Sequence, residues 1–431
     1  MPDGKIPCCV DHRGADPVAE NDSNGEFVYA VAEIYRFTHD IGFLTEMWPR
    51  VVRAVEYLDS LRRQRTTEAF RAPGKEKFFG LLPASISHEG YASRPVHSYW
   101  DDFFALRAFK DATGLAVAMG DEEHAASFAK LRDTFHSDLF TSISRTIEEH
   151  AIDYVPGSAE LGDFDPSSTA IALDPGGETA SLPRGPLERT FAKYYEILRE
   201  RRDGVDSWDA FAPYEVRIAD ALVRLDHREQ ALEVLDFMLA NQRPTGWNEW
   251  QEILWRDPAV ASFIGDMPHT WVGSSFVRAL RSMFAYEREA DQALVLAAGV
   301  PRAWVTAGKR VAVKRLPTYY GVLTYKLESD GPDRLRLQVS GDLRLPPGKV
   351  VVRPPLERPL QAVRVNGRAV DTFTAEQAII AELPANVVLD SVSAGEPTPT
   401  PRPQPTPTPS PQPTATSSEP TPAEEEEKPK E

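Results

Sequence analysis

The stretch HSYWDDFFALRAFKDATGLAVAMG, residues 97–120, sets the reading of the whole chain. It opens on His97, Tyr99, Trp100 and the adjacent carboxyls Asp101 and Asp102. From Phe103 to Gly120 its apolar residues recur at helical spacing. A loop dense in Trp, Asp and His therefore runs straight into a helix, and this arrangement repeats along the chain.

Upstream, EFVYAVAEIYRFTHD (26–40) and FLTEMWPRVVRAVEYLDSLRR (43–63) carry apolar residues three and four apart. Downstream the same period runs through 122–147, 187–202, 213–225, 228–242 and 271–284, with a short apolar piece, SSTAIAL, at 167–173. Five connections hold most of the Trp, Asp, Glu, His and Asn: 11–26, 80–102, 162–168, 206–215 and 244–271. Each precedes a helix. The other connections, such as THDIG, MGDEE and LDHRE, are short and plain. Long polar loops at every second junction are expected of stacked helical hairpins, with all the long loops opening on one face. No fixed-period repeat links the helices, which argues against a regular solenoid.

Beyond about Ala290 the period changes to two. RVAVKRL, GVLTYKLES, RLRLQVSG, KVVVRPP and QAVRVNGRAV alternate apolar and polar residues between turn residues, and VNGR reads as a two-residue hairpin turn. This predicts an antiparallel β-sandwich over 288–395, after a mainly α domain over 1–287. The remainder, 396–431, contains 12 of the 37 prolines and almost no apolar residue. It cannot bury enough surface to fold and reads as a disordered Pro/Thr-rich acidic tail, a link to a cell surface or to another module.

Composition narrows the function. The chain has 431 residues, 42% of them apolar, and no apolar run long enough to span a bilayer. Its 48 basic and 65 acidic residues give a net charge of −17, which disfavours nucleic acid as a partner. The two cysteines, Cys8 and Cys9, are neighbours and make neither a disulfide framework nor a zinc site. Nothing in the motifs calls for a metal, a redox group or an organic cofactor. Six of the eight tryptophans lie in or beside the polar loops. A sugar ring offers C–H faces and a hydroxyl rim, so aromatic platforms flanked by carboxylates suit a carbohydrate.

Residues 97–112 together with GDMPHTWVGSSFVRAL (265–280) resemble the six-hairpin glycosidase superfamily, which includes glucoamylase, trehalase, the processing α-glucosidases and the α-L-rhamnosidases. The resemblance covers about residues 1–285, with a looser match at 296–325. It implies an (α/α)6 toroid of twelve helices in two rings, a site where the inner helices begin, and a β-sandwich behind the toroid. Only about nine helices are legible, so the toroid is expected to lack its first helices.

The resemblance also implies a glycoside hydrolase, inverting and exo-acting, with two carboxyls across the scissile bond. Their loops map to 80–102 and 244–271. Asp101 is then the protonated acid, its affinity for the proton raised by Trp100, Tyr99 and the neighbouring Asp102. Asp102 stays ionised, to bind a hydroxyl or cap the helix. Glu252 is the expected base, with Glu249, one helical turn away, as the alternative. His97, Glu20, Asn21, Asp22, Arg13, His88, Glu89, Trp208, Trp247, Trp250, Asp266, His269 and Trp271 complete the expected sugar-binding wall. Two other readings stand beside it: a glycosyl phosphorylase, which needs a cationic phosphate pocket, and a carbohydrate-binding fragment without catalysis. The Pro/Thr tail is similar to the stalks of exported proteins, which points to a secreted or cell-surface protein.

Overall fold

The computed structural model describes residues 1–391 apart from 88, 89, 206, 207, 261 and 263–266. A two-residue hairpin, β1 (Val10–Asp11) with β2 (Gly14–Ala15), precedes the helices. Nine α-helices follow among the described residues: α1 (Ser23–Thr38), α2 (Ile41–Arg63), α3 (Tyr99–Met119), α4 (Glu122–His150), α5 (Pro166–Leu173), α6 (Arg184–Asp203), α7 (Arg217–Arg224), α8 (Arg228–Ala240) and α9 (Thr270–Phe284). Two short strands pair with each other, β3 (Ala210–Phe211) between α6 and α7 and β4 (Leu254–Trp255) between α8 and α9.

The odd-numbered helices form an inner arc in which α1 packs on α3, α3 on α5, α5 on α7 and α7 on α9. The even-numbered helices lie outside, each against its predecessor. Residue type explains the layering. From Tyr99 to Phe109 every residue of α3 is buried, as a helix enclosed on all sides requires. α2 buries only the stripe Leu44, Trp48, Val51, Ala54, Val55 and Leu58. Local chemistry sets the ends. Asp40 and Asp121 accept backbone N–H groups at the starts of α2 and α4, while Gly120, at φ 71°, closes α3. The terse connections thus fall between an inner helix and its outer partner, and the long polar loops fall before the inner helices.

Where α1 and α9 face each other the arc is held by charge rather than apolar packing. Arg278 of α9 forms an ion pair with Glu33 of α1, and its guanidinium lies 5.7 Å from the Tyr29 ring. Among the described residues the helical architecture is thus nine helices, five inner and four outer.

The β part begins at once after α9. β5 (Ala285–Arg288), β6 (Ala293–Leu296), β10 (Val350–Val352) and β13 (Ala378–Ile380) form one sheet in the order β13-β10-β6-β5. A second sheet, β12-β11-β14-β9-β8-β7, is built from β7 (Arg310–Thr318), β8 (Gly321–Ser329), β9 (Arg334–Ser340), β11 (Leu360–Val365), β12 (Arg368–Val370) and β14 (Ala385–Ser391). Leu294, Leu296, Val350 and Ile380 from the first sheet share one core with Leu323, Leu327, Leu337 and Leu389 from the second, so the two sheets pack as a sandwich. One expectation is corrected: the smaller sheet is not antiparallel throughout, because β6 and β10 pair in parallel.

The helical and β parts belong to one compact unit. The expected tail, 396–431, lies outside the described residues. Among those residues no helix is long and apolar enough to cross a membrane.

Candidate active site

The N-terminal ends of the inner helices converge. Trp100, in the first turn of α3, donates its indole N–H to Asp22 just before α1, at 2.8 Å. Its ring lies 6.1 Å from Trp271 at the start of α9, and the Arg217 guanidinium of α7 sits 4.7 Å above it. Tyr214 brings in the loop before α7: its hydroxyl bonds His269 Nε2, its ring meets Trp271 edge-on at 5.7 Å, and Arg217 also covers its face, at 4.9 Å. Asp165 caps α5 by accepting the Ser167 and Ser168 N–H groups.

These contacts enclose a cleft of about 660 Å³ lined by Glu20, Asp22, Glu26, Trp100, Asp165, Tyr194, Tyr214, Glu215, Arg217, Glu252, His269 and Trp271, with Cys8 and Cys9 at its edge. All five long loops contribute. A second cavity of about 890 Å³ adjoins it on the open side of the arc and shares Glu26, Arg217 and Trp271. A cleft of this size is ample for a sugar unit.

The first turn of α1 shows how local sequence builds the wall. Asn24 ties the N-terminal segment down: its Oδ1 accepts the Ile6 N–H, and its Nδ2 donates to the Gly4 and Ala54 carbonyls. Gly25 touches α3 so closely that a Cβ there would meet the Phe104 carbonyl oxygen at 2.5 Å. Glu26, next along the helix, thereby lines the same cleft as Trp100 and Arg217. Its Oε1 is shielded from solvent and has no hydrogen-bond partner. Burial pushes its carboxyl well above the usual range, the charges of Asp22, Asp101 and Glu20 push the same way, and Arg217 opposes them. Arg217 mirrors it. Its Nε is buried without a partner, its guanidinium reaches Ser275 Oγ at 3.5 Å, and burial lowers its pKa to about 10.

The structure gathers Glu20, Asp22, Trp100, Glu252, His269 and Trp271 at the cleft. It places the other expected residues elsewhere. Asp101 is buried beneath the cleft, where it accepts from Ser85 Oγ at 2.5 Å and Ser87 Oγ at 2.8 Å. Asp102, expected to stay ionised, is the carboxyl that burial pushes well above its ordinary range. Its Oδ1 accepts the Leu82 N–H, and its Oδ2 is without a partner. Tyr99 is wholly internal, its hydroxyl bonded to Ser142 and Thr146.

His97 is engaged at both ring nitrogens: Arg65 Nε donates to Nε2, and Nδ1 faces Glu160 at 2.5 Å. Asn21 donates to the Pro83 carbonyl, and Arg13 is exposed and paired with Asp11 in the β1–β2 hairpin. Trp250 belongs to the core, 5.3 Å from Phe276, and Trp208 packs on Phe211. These two rings pad the interior. Trp247 is exposed and Glu249 half-buried, and neither lines the cleft. His88, Glu89 and Asp266 lie outside the described residues.

Glu26, Arg217 and Tyr214 are among the cleft residues that sequence reading missed, as are Tyr194 and Glu215. Glu26 and Arg217 fall inside strings whose helical period was the conspicuous signal. Among the described residues, no group of three or more His, Cys, Asp or Glu side chains could hold a metal ion.

No family model and no curated protein sequence matches the chain. The solved structures do. An α-L-rhamnosidase from Dictyoglomus thermophilum superposes with a TM-score of 0.55 at 12% identity, covering 91% of this chain and 42% of the rhamnosidase. The two chains thus share a fold at a coarse level. A family 78 rhamnosidase from a Bacillus species aligns with a TM-score of 0.44 at 14% identity over 79% of this chain and 34% of its own. The chain thus spans less than half the length of the rhamnosidases it matches.

Proposed function

We propose that the chain is a glycoside hydrolase acting on oligo- or polysaccharides, inverting and exo-acting, its inner arc part of an (α/α)6 toroid. In this reading the helical domain spans 1–287, the sandwich 288–395 and the tail 396–431. The observation that carries it is the cleft, where Trp100 and Trp271 stand among Glu20, Asp22, Glu26 and Glu252 at the ends where the inner helices begin. The rhamnosidase-type fold supports a terminal deoxyhexose as the first substrate to try.

Glu252, half-buried in the cleft wall, takes the proton of the attacking water; Glu249 does not reach this wall. Asp101, held by Ser85 and Ser87, supports the loop beneath Trp100 rather than facing substrate. A phosphorylase is favoured by one observation, an Arg217 cation that forms no ion pair with a carboxylate among the described residues.

A screen of nitrophenyl glycosides, including α-L-rhamnosides, with and without phosphate tests the reading. Glu252→Gln is expected to lower kcat by about 10²–10⁴-fold, the usual contribution of general base catalysis, and fresh product should appear with inverted anomeric configuration by NMR. Phosphate-dependent turnover would move the reading to the phosphorylase. Saccharide binding without turnover would move it to the binding fragment.

A further inference from the structure

We propose that Glu26 is the group that protonates the departing glycosidic oxygen, with Arg217 holding a neighbouring sugar hydroxyl. The proposal rests on the hydrolase reading above and names a catalytic residue within it.

Elimination within the cleft leads there. Glu215 is neutralised by Arg201 at 2.8 Å and by the Tyr194 hydroxyl at 2.9 Å. Asp165 is engaged as the cap of α5, and Asp22 accepts from Trp100. Glu20 sits at the edge beside the Cys8 thiol, and Glu252 is the base. Asp102 has an unpartnered oxygen but does not line the cleft. Glu26 lines it, and its Oε1 has no partner.

A carboxyl carries its proton into catalysis only if its surroundings disfavour the anion. Those surroundings are apolar burial against α3, the carboxylates Glu20 and Asp22 on the preceding loop, and Asp101 on α3. Arg217 on α7 opposes them. Arg217 forms no ion pair with Glu26. Its guanidinium is sandwiched by Trp100 and Tyr214, and its buried Nε is an unused donor. Buried donors and acceptors are rarely left unsatisfied, and a saccharide oxygen supplies what both lack.

The step balances. The Glu26 proton passes to the glycosidic oxygen, and the bond from that oxygen to the anomeric carbon breaks with its electron pair leaving on oxygen. A water oxygen bonds the anomeric carbon as Glu252 takes one of the water's protons. Solvent exchange then returns one proton to Glu26 and removes one from Glu252, so the net reaction is hydrolysis.

The test uses the full chain and two leaving groups, a dinitrophenyl glycoside that departs unaided and an alkyl glycoside that requires protonation. Glu26→Gln is expected to lower kcat at least 100-fold on the alkyl glycoside and less than tenfold on the dinitrophenyl one, and to abolish the alkaline limb of the pH profile. Glu26→Asp should restore part of the alkyl activity, and thermal melting of both variants controls for folding. Equal losses on the two leaving groups, or none, would overturn the role of Glu26 and leave the hydrolase reading intact. Wild-type protein that cleaves no glycoside would overturn the hydrolase reading, and this role with it.

Discussion

The two ends of the inner arc use the same helices and nearly the same residues, to opposite effect. Glu26, Arg217 and Trp271 stand at the N-terminal ends of α1, α7 and α9; Glu33, Arg224 and Arg278 stand two turns later on the same faces. At the C-terminal end the charges are matched. Arg278 pairs with Asp174 and Glu33, Arg224 with Asp174 at 2.8 Å and Asp220 at 3.0 Å, and Arg36 with Asp111 at 2.6 Å. Glu289, just beyond β5, pairs with Arg107 and Lys110, and Tyr319 of the sandwich donates to Glu33 at 2.7 Å. At the N-terminal end Arg217 and Glu26 share one cleft wall without pairing. One end is paired from within, with a single Asp220 oxygen left unpartnered among the residues named, and holds the arc to the sandwich. The other has donors and an acid to spare, which is the condition for binding something else.

Breaking the matched end should have the largest effect. Asp174→Ala removes the carboxylate that Arg224 and Arg278 share and leaves each with one remaining partner, Asp220 or Glu33; removing one member of a buried ion pair costs up to about 3–5 kcal/mol. Urea denaturation should show that loss, while the KM of protein that remains folded should hold. An unchanged denaturation midpoint would mean that this network does not hold the arc.

Gly25→Ala comes next. Its Cβ would lie 2.5 Å from the Phe104 carbonyl oxygen, so α1 must move away from α3, at about 1–3 kcal/mol for an overpacked contact. Because Glu26 moves with the helix, kcat should fall along with stability.

Arg217→Met sharpens the contrast from the other side. Losing a hydrogen bond from a charged donor costs about 1.5–3 kcal/mol of binding, so saccharide affinity by calorimetry should drop at least tenfold. Stability should hold or rise, because the cation is buried without a carboxylate. Trp271→Ala should weaken binding by about tenfold at most, given the worth of one aromatic contact.

The smallest effect concerns pH. Asp102 has its folded-state affinity for the proton raised by burial. Its contribution to stability is therefore full below the ordinary Asp range and is lost as pH rises through the folded value. Asp102→Asn, which mimics the protonated form, should flatten that decline in melting temperature and match wild type under acid conditions.

Period and loop chemistry made much of this legible. The helices, the change to strands after α9 and the convergence of five polar loops followed from spacing, since a helix enclosed in an arc must be apolar where it is enclosed. The site was legible by region and less so by residue. Trp100 and Trp271 reached the cleft while Trp250 filled the core, because an indole serves a sugar face and an interior equally well. Asp101 and Asp102 went beneath the cleft because the helix they start is buried on every side. Glu26 and Arg217 escaped notice because their meaning lies in missing partners, and a missing hydrogen bond has no signature in sequence. The parallel β6–β10 pairing was hidden for a related reason: strand direction depends on where the 53 residues between Leu296 and Val350 return the chain.

The most direct test is a crystal structure of Glu252→Gln protein soaked with a saccharide that the wild-type enzyme cleaves. A sugar ring against the exposed face of Trp271, with its glycosidic oxygen within hydrogen-bond distance of Glu26 and a hydroxyl on the Arg217 guanidinium, is the expected result. A sugar bound at another place, with Glu26 and Arg217 still unpartnered, would contradict it.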